Sequence, residues 1–259
     1  MGVLNVTPDS FSDGGRFLDP AAAIERGRTM VAEGAEIVDV GGESTRPGAE
    51  PVSVDDELDR VLPVIEVLAR EVRVSIDTTK PDVARAAVAA GATLINDISA
   101  SLHEVAAETG VGWVAMHMQG SPRTMQDAPH YDDVVGEVRS FLADRVRMGR
   151  AAGIDEIWVD PGIGFGKTVG HNLALLRHLD QIVDLGHPVL VGISRKGFLG
   201  RLLGASDAGL PPGEVTPTDV DDRLEGSLAT ATWAMLQGAR MVRAHDVLAT
   251  VQAARVVAA

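Results

Sequence analysis

The sequence predicts an α/β fold, a single (β/α)8 TIM barrel spanning residues 1–259, and three observations carry that prediction. Short apolar runs without polar alternation recur along the whole chain, as parallel strands buried on both faces require. Each run is followed by a longer, Ala-rich stretch with helical spacing, and eight such repeats fit within 259 residues, the usual size of one such barrel. No Pro/Ser-rich linker or shift in composition divides the chain, so one domain is expected.

Strands are expected at Gly2–Asn5, Glu36–Val40, Val72–Asp77, Leu94–Asp97, Trp113–Met116, Ile157–Asp160, Val189–Gly192 and Met241–Ala244, each an apolar run bounded by polar or Gly-containing segments. Helical patterns lie between and after them, near 20–33, 55–70, 81–90, 103–109, 132–152, 171–184, 222–238 and 246–257. Residues 205–221 read as a long Pro/Gly/Asp loop, and the segment after Asp97 leaves room only for a short fourth helix. The loops after the first two strands are dense in Gly, Pro, Ser and Asp and are expected to act as mobile lids at the C-terminal face.

The charge balance narrows the function. Lys plus Arg number 23 against 37 Asp plus Glu, a net charge of −14. That field repels polyanions, so no nucleic-acid partner is expected. Aromatic residues make up only 3%, which leaves little to stack bases on. There are no cysteines, which excludes disulfides and thiolate metal sites and makes a reducing cytoplasm the default compartment. No basic-then-apolar leader or bilayer-length apolar run is read, so no membrane association is expected. Of the 23 basic residues only Lys80, Lys167 and Lys196 are lysines. Two of them sit in Gly-rich segments after strands, where a compact ammonium differs in use from a guanidinium.

The strand ends carry the chemistry. Polar groups stand at nearly every strand C-terminus: Asn5, the Gly41–Gly48 segment, Asp77, Asn96-Asp97, His117, Asp160, Ser194-Arg195-Lys196 and Arg243-Ala244-His245. In a barrel these ends converge on one mouth. Asp77, Asn96 and Asp160 together offer acceptors and an amide suited to a flat heterocycle with amine and lactam edges, although Asp and Asn also cap helices. Arg243 and His245 alternate by two and would share a face. With Arg46, Arg195 and Asn5 they could surround a phosphate or diphosphate, or Arg243 could pair with a carboxylate. Lys196 could form a Schiff base or donate to a ring carbonyl. The segment Gly162–Lys167 fails the phosphate-loop spacing, and its glycines suit close approach of backbone and Phe165 to a flat ligand. His171 and His178 are expected to face solvent.

Taken together, the segments GVLNVTPDSFSDGG, DVGGESTRPGA, SIDT, NDIS, MHMQG, DPGIGFGK, SRKGFLG and RAHD, in this order from Gly2 to about Val257, resemble the dihydropteroate synthase family. The resemblance implies condensation of 7,8-dihydropterin-6-ylmethyl diphosphate with p-aminobenzoate, releasing diphosphate with Mg2+ assisting, in folate biosynthesis and as the target of sulfonamides. It implies that Asp77, Asn96, Asp160 and Lys196 hold the pterin, with Met116 and Phe165 lining its slot. Asn5, Arg243 and His245 would bind diphosphate, Asn5 also reaching Mg2+. Asp13, Thr45 and Arg46 would close over the reacting centre, and Phe11, Thr45, Pro47 and Lys196 would border the p-aminobenzoate pocket. The family is usually dimeric, and helices within 222–257, with Trp233 and Met235, are the expected interface. Two departures stand out. The chain starts inside the first strand, where relatives carry upstream residues, and Gly197 stands where many relatives have Ser.

Two other readings compete. A pterin-dependent methyltransferase barrel would share the pterin-reading Asp and Asn but has no use for a diphosphate clamp, which Arg243 and His245 supply. A non-catalytic pterin-binding paralogue would be expected to lack Asp13, Arg46 or Lys196, and all three are present.

Overall fold

A computed structural model of the chain describes residues 1–7, 19–44 and 50–259. Among the described residues eight strands are formed: β1 Gly2–Asn5, β2 Ile37–Gly41, β3 Arg73–Asp77, β4 Leu94–Asp97, β5 Gly112–Met116, β6 Ile157–Asp160, β7 Leu190–Gly192 and β8 Met241–Arg243. β1 to β6 pair in parallel in sequence order and β7 pairs in parallel with β8. Single parallel bridges, Val159 to Val189 and Gly2 to Ala244, join the two sheets at both seams. The strands therefore close into the expected (β/α)8 barrel.

Helices come after each strand. They are α1 Pro20–Ala32, α2 Val54–Leu68, α3 Pro81–Ala89, α4 His103–Thr109, α5 Val134–Ala151, α6 Val169–Arg177, α7 Asp180–Val183, α8 Gly197–Ala208, α9 Leu224–Leu236 and α10 Val247–Val257. Their starts are chemically marked. Asp19 caps α1 ahead of Pro20. Ser53 caps α2, whose first turn carries Asp55, Asp56 and Glu57 against the positive end of the helix dipole. Asp133 caps α5. Thr168 and His171 cap α6 reciprocally, so His171 is a capping group, while His178 is exposed.

Three expectations are corrected. The pattern over 171–184 is two helices, broken where His178 leaves helical geometry. Residues 197–208 form a helix that the sequence pattern does not reveal, so the connection after β7 holds both α8 and α9, and the 205–221 segment is a loop only from Gly209 to Asp219. β8 ends at Arg243, which puts His245 beyond the strand.

Strand alternation sorts the side chains. Val38, Val40, Val74, Ile76, Ile95, Trp113, Ala115 and Ile157 face outward into the layer beneath the helices, where they pack with residues such as Ile65, Leu68 and Val83. Inside the barrel, Ile37, Leu94, Val114 and Leu190 cluster with Met1, Trp158 and Met241. Two residues further along the same six strands stand Asp39, Asn96, Met116, Asp160, Gly192 and Arg243. The period of two keeps that second set on the interior face, one level nearer the mouth. Among the described residues no helix is long and apolar enough to cross a membrane.

Candidate active site

The interior mouth is built around one guanidinium. Arg243, at the end of β8, donates from Nε to Asp39 Oδ2 at 2.6 Å and from Nη2 to Asp77 Oδ2 at 2.7 Å. Burial disfavours its charge, but Asp39 and Asp77 outweigh that and hold its pKa above the ordinary value. Asn96 completes the group by donating from Nδ2 to the same Asp39 Oδ2 at 3.0 Å. Asp39 is fully buried and is a site residue that the strand-end pattern does not flag. Its only sequence signal is an acidic residue in the inward phase of a strand otherwise made of Ile, Val and a terminal Gly. Asp39 Oδ1 and Asp77 Oδ1 are buried without a protein partner, an expensive state that a donor-bearing ligand would relieve.

Asp160 enters from β6, its Oδ1 accepting from Gly162 N at 2.7 Å. Burial pushes its carboxyl up to about 6 despite that bond and the nearby Lys196, Lys167 and Arg243. Burial likewise raises Asp77 to about 7 against the pull of Arg243. Lys196 lies between them: burial, with Arg243 adding to it, brings its amine down to about 8, while Asp160 and Asp77 oppose. Its Nζ stands 3.8 Å from the Phe165 ring centroid, a cation–π contact. Phe165 in turn packs with Met116, Ile98 and Met125. Arg195, just before, has φ +60°, a strained backbone for a side chain with a Cβ, and this bend redirects the chain as it enters Lys196.

His245 sits at the rim. Ser194 Oγ accepts from His245 N at 3.1 Å and lies 3.1 Å from its Nδ1. Burial, then Arg243, Arg195 and Lys196, depress the imidazole to about 3, so the ring is neutral. A Ser194 hydroxyl donating to Nδ1 would leave the ring proton on Nε2, from where it could be donated to an anion. Asn5 is half-buried at the end of β1.

The mouth thus brings together seven of the expected residues: Asp77, Asn96, Met116, Asp160, Phe165, Lys196 and Arg243, with Asn5 at the end of β1 and His245 two residues past β8. Phe11, Asp13, Thr45, Arg46 and Pro47 lie outside the described residues, as do the central parts of both expected lids. Arg195 is corrected: its guanidinium is engaged by Asp246 at 2.6 Å and Asp221 at 3.0 Å, so it braces the 194–196 turn instead of facing an anion. Asp97 also has a structural role, accepting from Ser101 N, Leu102 N and Trp113 Nε1.

Two further charged clusters are not legible in the sequence. Lys80 bridges Glu43 and the fully buried Glu57, tying the exits of β2 and β3 to α2. Lys167 is buried beside His117. Single charges within loops give no sequence signal for such pairing, because their partners are 23 to 50 residues away.

The chain matches known proteins over nearly its whole length. A family described as pterin binding enzyme matches residues 1–245. The dihydropteroate synthase of Escherichia coli K12 is 48% identical over 267 residues, covering 100% of this chain and 90% of the relative. The Yersinia pestis dihydropteroate synthase solved with a sulfonamide drug superposes with a TM-score of 0.88 at 44% identity, covering 99% of this chain and 92% of that one. The Xanthomonas albilineans enzyme solved with 7,8-dihydropteroate gives a TM-score of 0.83 at 43% identity, covering 98% and 90%. With this fold, this order of strand-end motifs and this likeness, the chain belongs to the dihydropteroate synthase family of pterin binding enzymes.

Proposed function

We propose that the mouth joins 7,8-dihydropterin-6-ylmethyl diphosphate to p-aminobenzoate, giving 7,8-dihydropteroate and diphosphate. The observation that carries this reading is the convergence at one mouth of Asp77, Asn96, Asp160 and Arg243 from the ends of four strands with Lys196 from the turn after β7. Relatives solved with a sulfonamide drug and with dihydropteroate support it.

In this reading the orphaned oxygen of Asp77 and the carboxylate of Asp160 accept from the amine and lactam N–H groups of the pterin, Asn96 supplies an amide, and Lys196 donates to a ring acceptor. Met116 and Phe165 line the slot. Three buried carboxylates (Asp39, Asp77, Asp160) face two cations (Arg243, Lys196), so the cup favours a ligand edge rich in donors. Neutral His245 and Arg243 receive the diphosphate with Asn5, and Thr45 and Arg46 close on the same group. The C–O bond at the pterin methylene breaks with its electron pair on the diphosphate oxygen, and the delocalised cation left behind is stabilised by Asp13. The arylamine nitrogen then forms the C–N bond and loses a proton, with Phe11, Thr45, Pro47 and Lys196 bordering its ring. The lysine serves as a donor in a dissociative substitution, not as a covalent nucleophile, so borohydride should trap no adduct on Lys196.

Asn5 offers a hard amide oxygen, and among the described residues no three His, Cys, Asp or Glu side chains form a metal cage. The Asn5 oxygen suits Mg2+, which is commonly held by a few protein oxygens plus substrate phosphates. Bound by Asn5 and the diphosphate, it would neutralise charge on the leaving group. The protein acts in the cytoplasm as a homodimer. Trp233 and Leu236 on α9 and Leu248 and Val256 on α10 are exposed apolar residues on adjacent helices, and Met235 is half-buried beside them, consistent with a second copy covering this face.

A coupled assay for released diphosphate, run with and without p-aminobenzoate, tests the reaction. Release that requires p-aminobenzoate and matches dihydropteroate formed is expected. Methyl transfer without diphosphate release, or pterin binding without turnover, would instead support the two competing readings.

A further inference from the structure

The glycine-rich turn after β6 is held from beneath by an ammonium that the proposed chemistry does not use. Lys167 is 3% exposed. Its Nζ donates to the carbonyl oxygens of Gly162 at 3.0 Å and Phe165 at 2.9 Å, and lies 3.0 Å from His117 Nδ1. An ammonium has three protons, which these three nearest acceptors can take, and the His117 carbonyl oxygen lies farther off at 3.4 Å. Burial and the nearby Lys167 keep His117 neutral, with a pKa of about 3, so its Nδ1 is free to accept.

The acceptors come from two different connections. His117 follows β5, whereas Gly162 and Phe165 belong to the turn after β6. The two connections also touch through their backbones. A Cβ at Gly162 (φ +65°) would run into the His117 carbonyl oxygen, and one at Gly166 (φ +60°) into the Gln119 carbonyl. On its other side the same turn meets the mouth: a Cβ at Gly164 would come within 3.0 Å of Lys196 Cδ, and the Phe165 ring lies under Lys196 Nζ. Gly162 is doubly placed, because its carbonyl accepts from Lys167 while its N–H donates to Asp160.

We propose that Lys167 is a positioning residue for pterin recognition: its ammonium clips the 162–167 turn to the exit of β5, which sets the placement of Phe165, Lys196 and Asp160 around the heterocycle, and its charge supports the Asp160 carboxylate. Packing alone gives no reason for a charge here, since burial pulls the Lys167 amine down to about 7 and an apolar side chain would fill the space without that cost. Asp160 is faced by Lys167, Lys196, Arg243 and the Gly162 N–H, all of which favour its ionised form. Removing Lys167 takes away one of the three cations and moves the Asp160 pKa up.

This inference rests on the pterin reading, and calorimetric titration of 6-hydroxymethylpterin into the wild-type protein, from pH 5 to 9, tests that reading first. No binding to wild type would sink the function assigned to the mouth. Given binding, Lys167→Met, Lys167→Gln and Tyr131→Phe are compared. Tyr131 Oη donates to Gly166 O at 2.9 Å, so Tyr131→Phe removes a neutral bond to the same turn. Lys167→Met is expected to weaken binding at least about tenfold at pH 7 and to shift the acid limb of affinity upward by roughly half a unit to one unit. Lys167→Gln keeps amide donors and regains part of the affinity, yet its acid limb stays displaced. Tyr131→Phe weakens binding without moving the limb. In turnover, Lys167→Gln raises KM for the pterin diphosphate more than it lowers kcat. Wild-type affinity in Lys167→Gln, or an acid limb unmoved in the lysine variants, overturns the proposal. Because Lys167→Gln retains donors to the carbonyls, it decides the matter even if Lys167→Met does not fold.

Discussion

The lower and upper levels of the barrel interior are built by the same six strands two residues apart, and they are chemically opposite. Ile37, Leu94, Val114, Trp158, Leu190 and Met241 make an apolar plug. One step of the pleat later, roughly 6.6 Å along each strand, Asp39, Asn96, Met116, Asp160, Gly192 and Arg243 occupy the equivalent interior places. The lower level gains stability from burial. Together with Asp77 and Lys196 at the same mouth, the upper level sets three carboxylates against two cations with two carboxylate oxygens, on Asp39 and Asp77, unpartnered, an arrangement that lowers stability in the free protein and becomes satisfied when a ligand supplies donors.

This contrast can be broken at its strongest point first. Arg243→Met leaves Asp39 and Asp77 buried without a counter-charge, and should cost about 3–5 kcal/mol in urea unfolding as well as abolishing turnover. Leu94→Ala, in the plug, should cost about 2–5 kcal/mol while leaving pterin affinity within twofold of wild type. The reverse pattern is expected for Asp160→Asn. Burial raises the Asp160 pKa to about 6 from an unfolded value near 4, so the folded state binds more protons than the unfolded one between those values. Stability from this group is therefore greatest at acid pH and declines as pH rises from about 4 to about 6. Asp160→Asn removes that decline and should raise stability at pH 7 by on the order of 1–3 kcal/mol, while weakening pterin binding about a hundredfold. Smallest of all, Ser194→Ala removes the partner of His245 N and Nδ1 and should cost about 1 kcal/mol, with a modest rise in KM for the pterin diphosphate.

The same contrast explains what is legible in the sequence. β1, β4, β6 and α4 appear in the structure with the boundaries the sequence suggests, because each is a short run bounded by sharp polar or Gly signals. α8 is hidden because Gly197, Gly200 and Gly204 weaken its helical signal. Gly200 has a tertiary reason: a Cβ there would collide with the Arg223 guanidinium, which donates to the Thr218 and Arg195 carbonyls. Asp77, Asp160, Lys196 and Arg243 can be read as site residues because each stands at or just past a strand end. Asp39 cannot, because it lies within its strand, and Lys167 is marked only as a rare lysine in a Gly-rich segment seven residues beyond Asp160, with nothing to name its partners. Their roles emerge only from side chains that the barrel brings across from other strands.

The most direct test of the central claim is the binding of 6-hydroxymethylpterin, measured by calorimetry in parallel for wild type, Asp160→Asn and Leu94→Ala. One site per chain is expected, with affinity lost about a hundredfold in Asp160→Asn and preserved in Leu94→Ala once the protein is folded. Equal affinities for wild type and Asp160→Asn would contradict the assignment of the upper level as the pterin site.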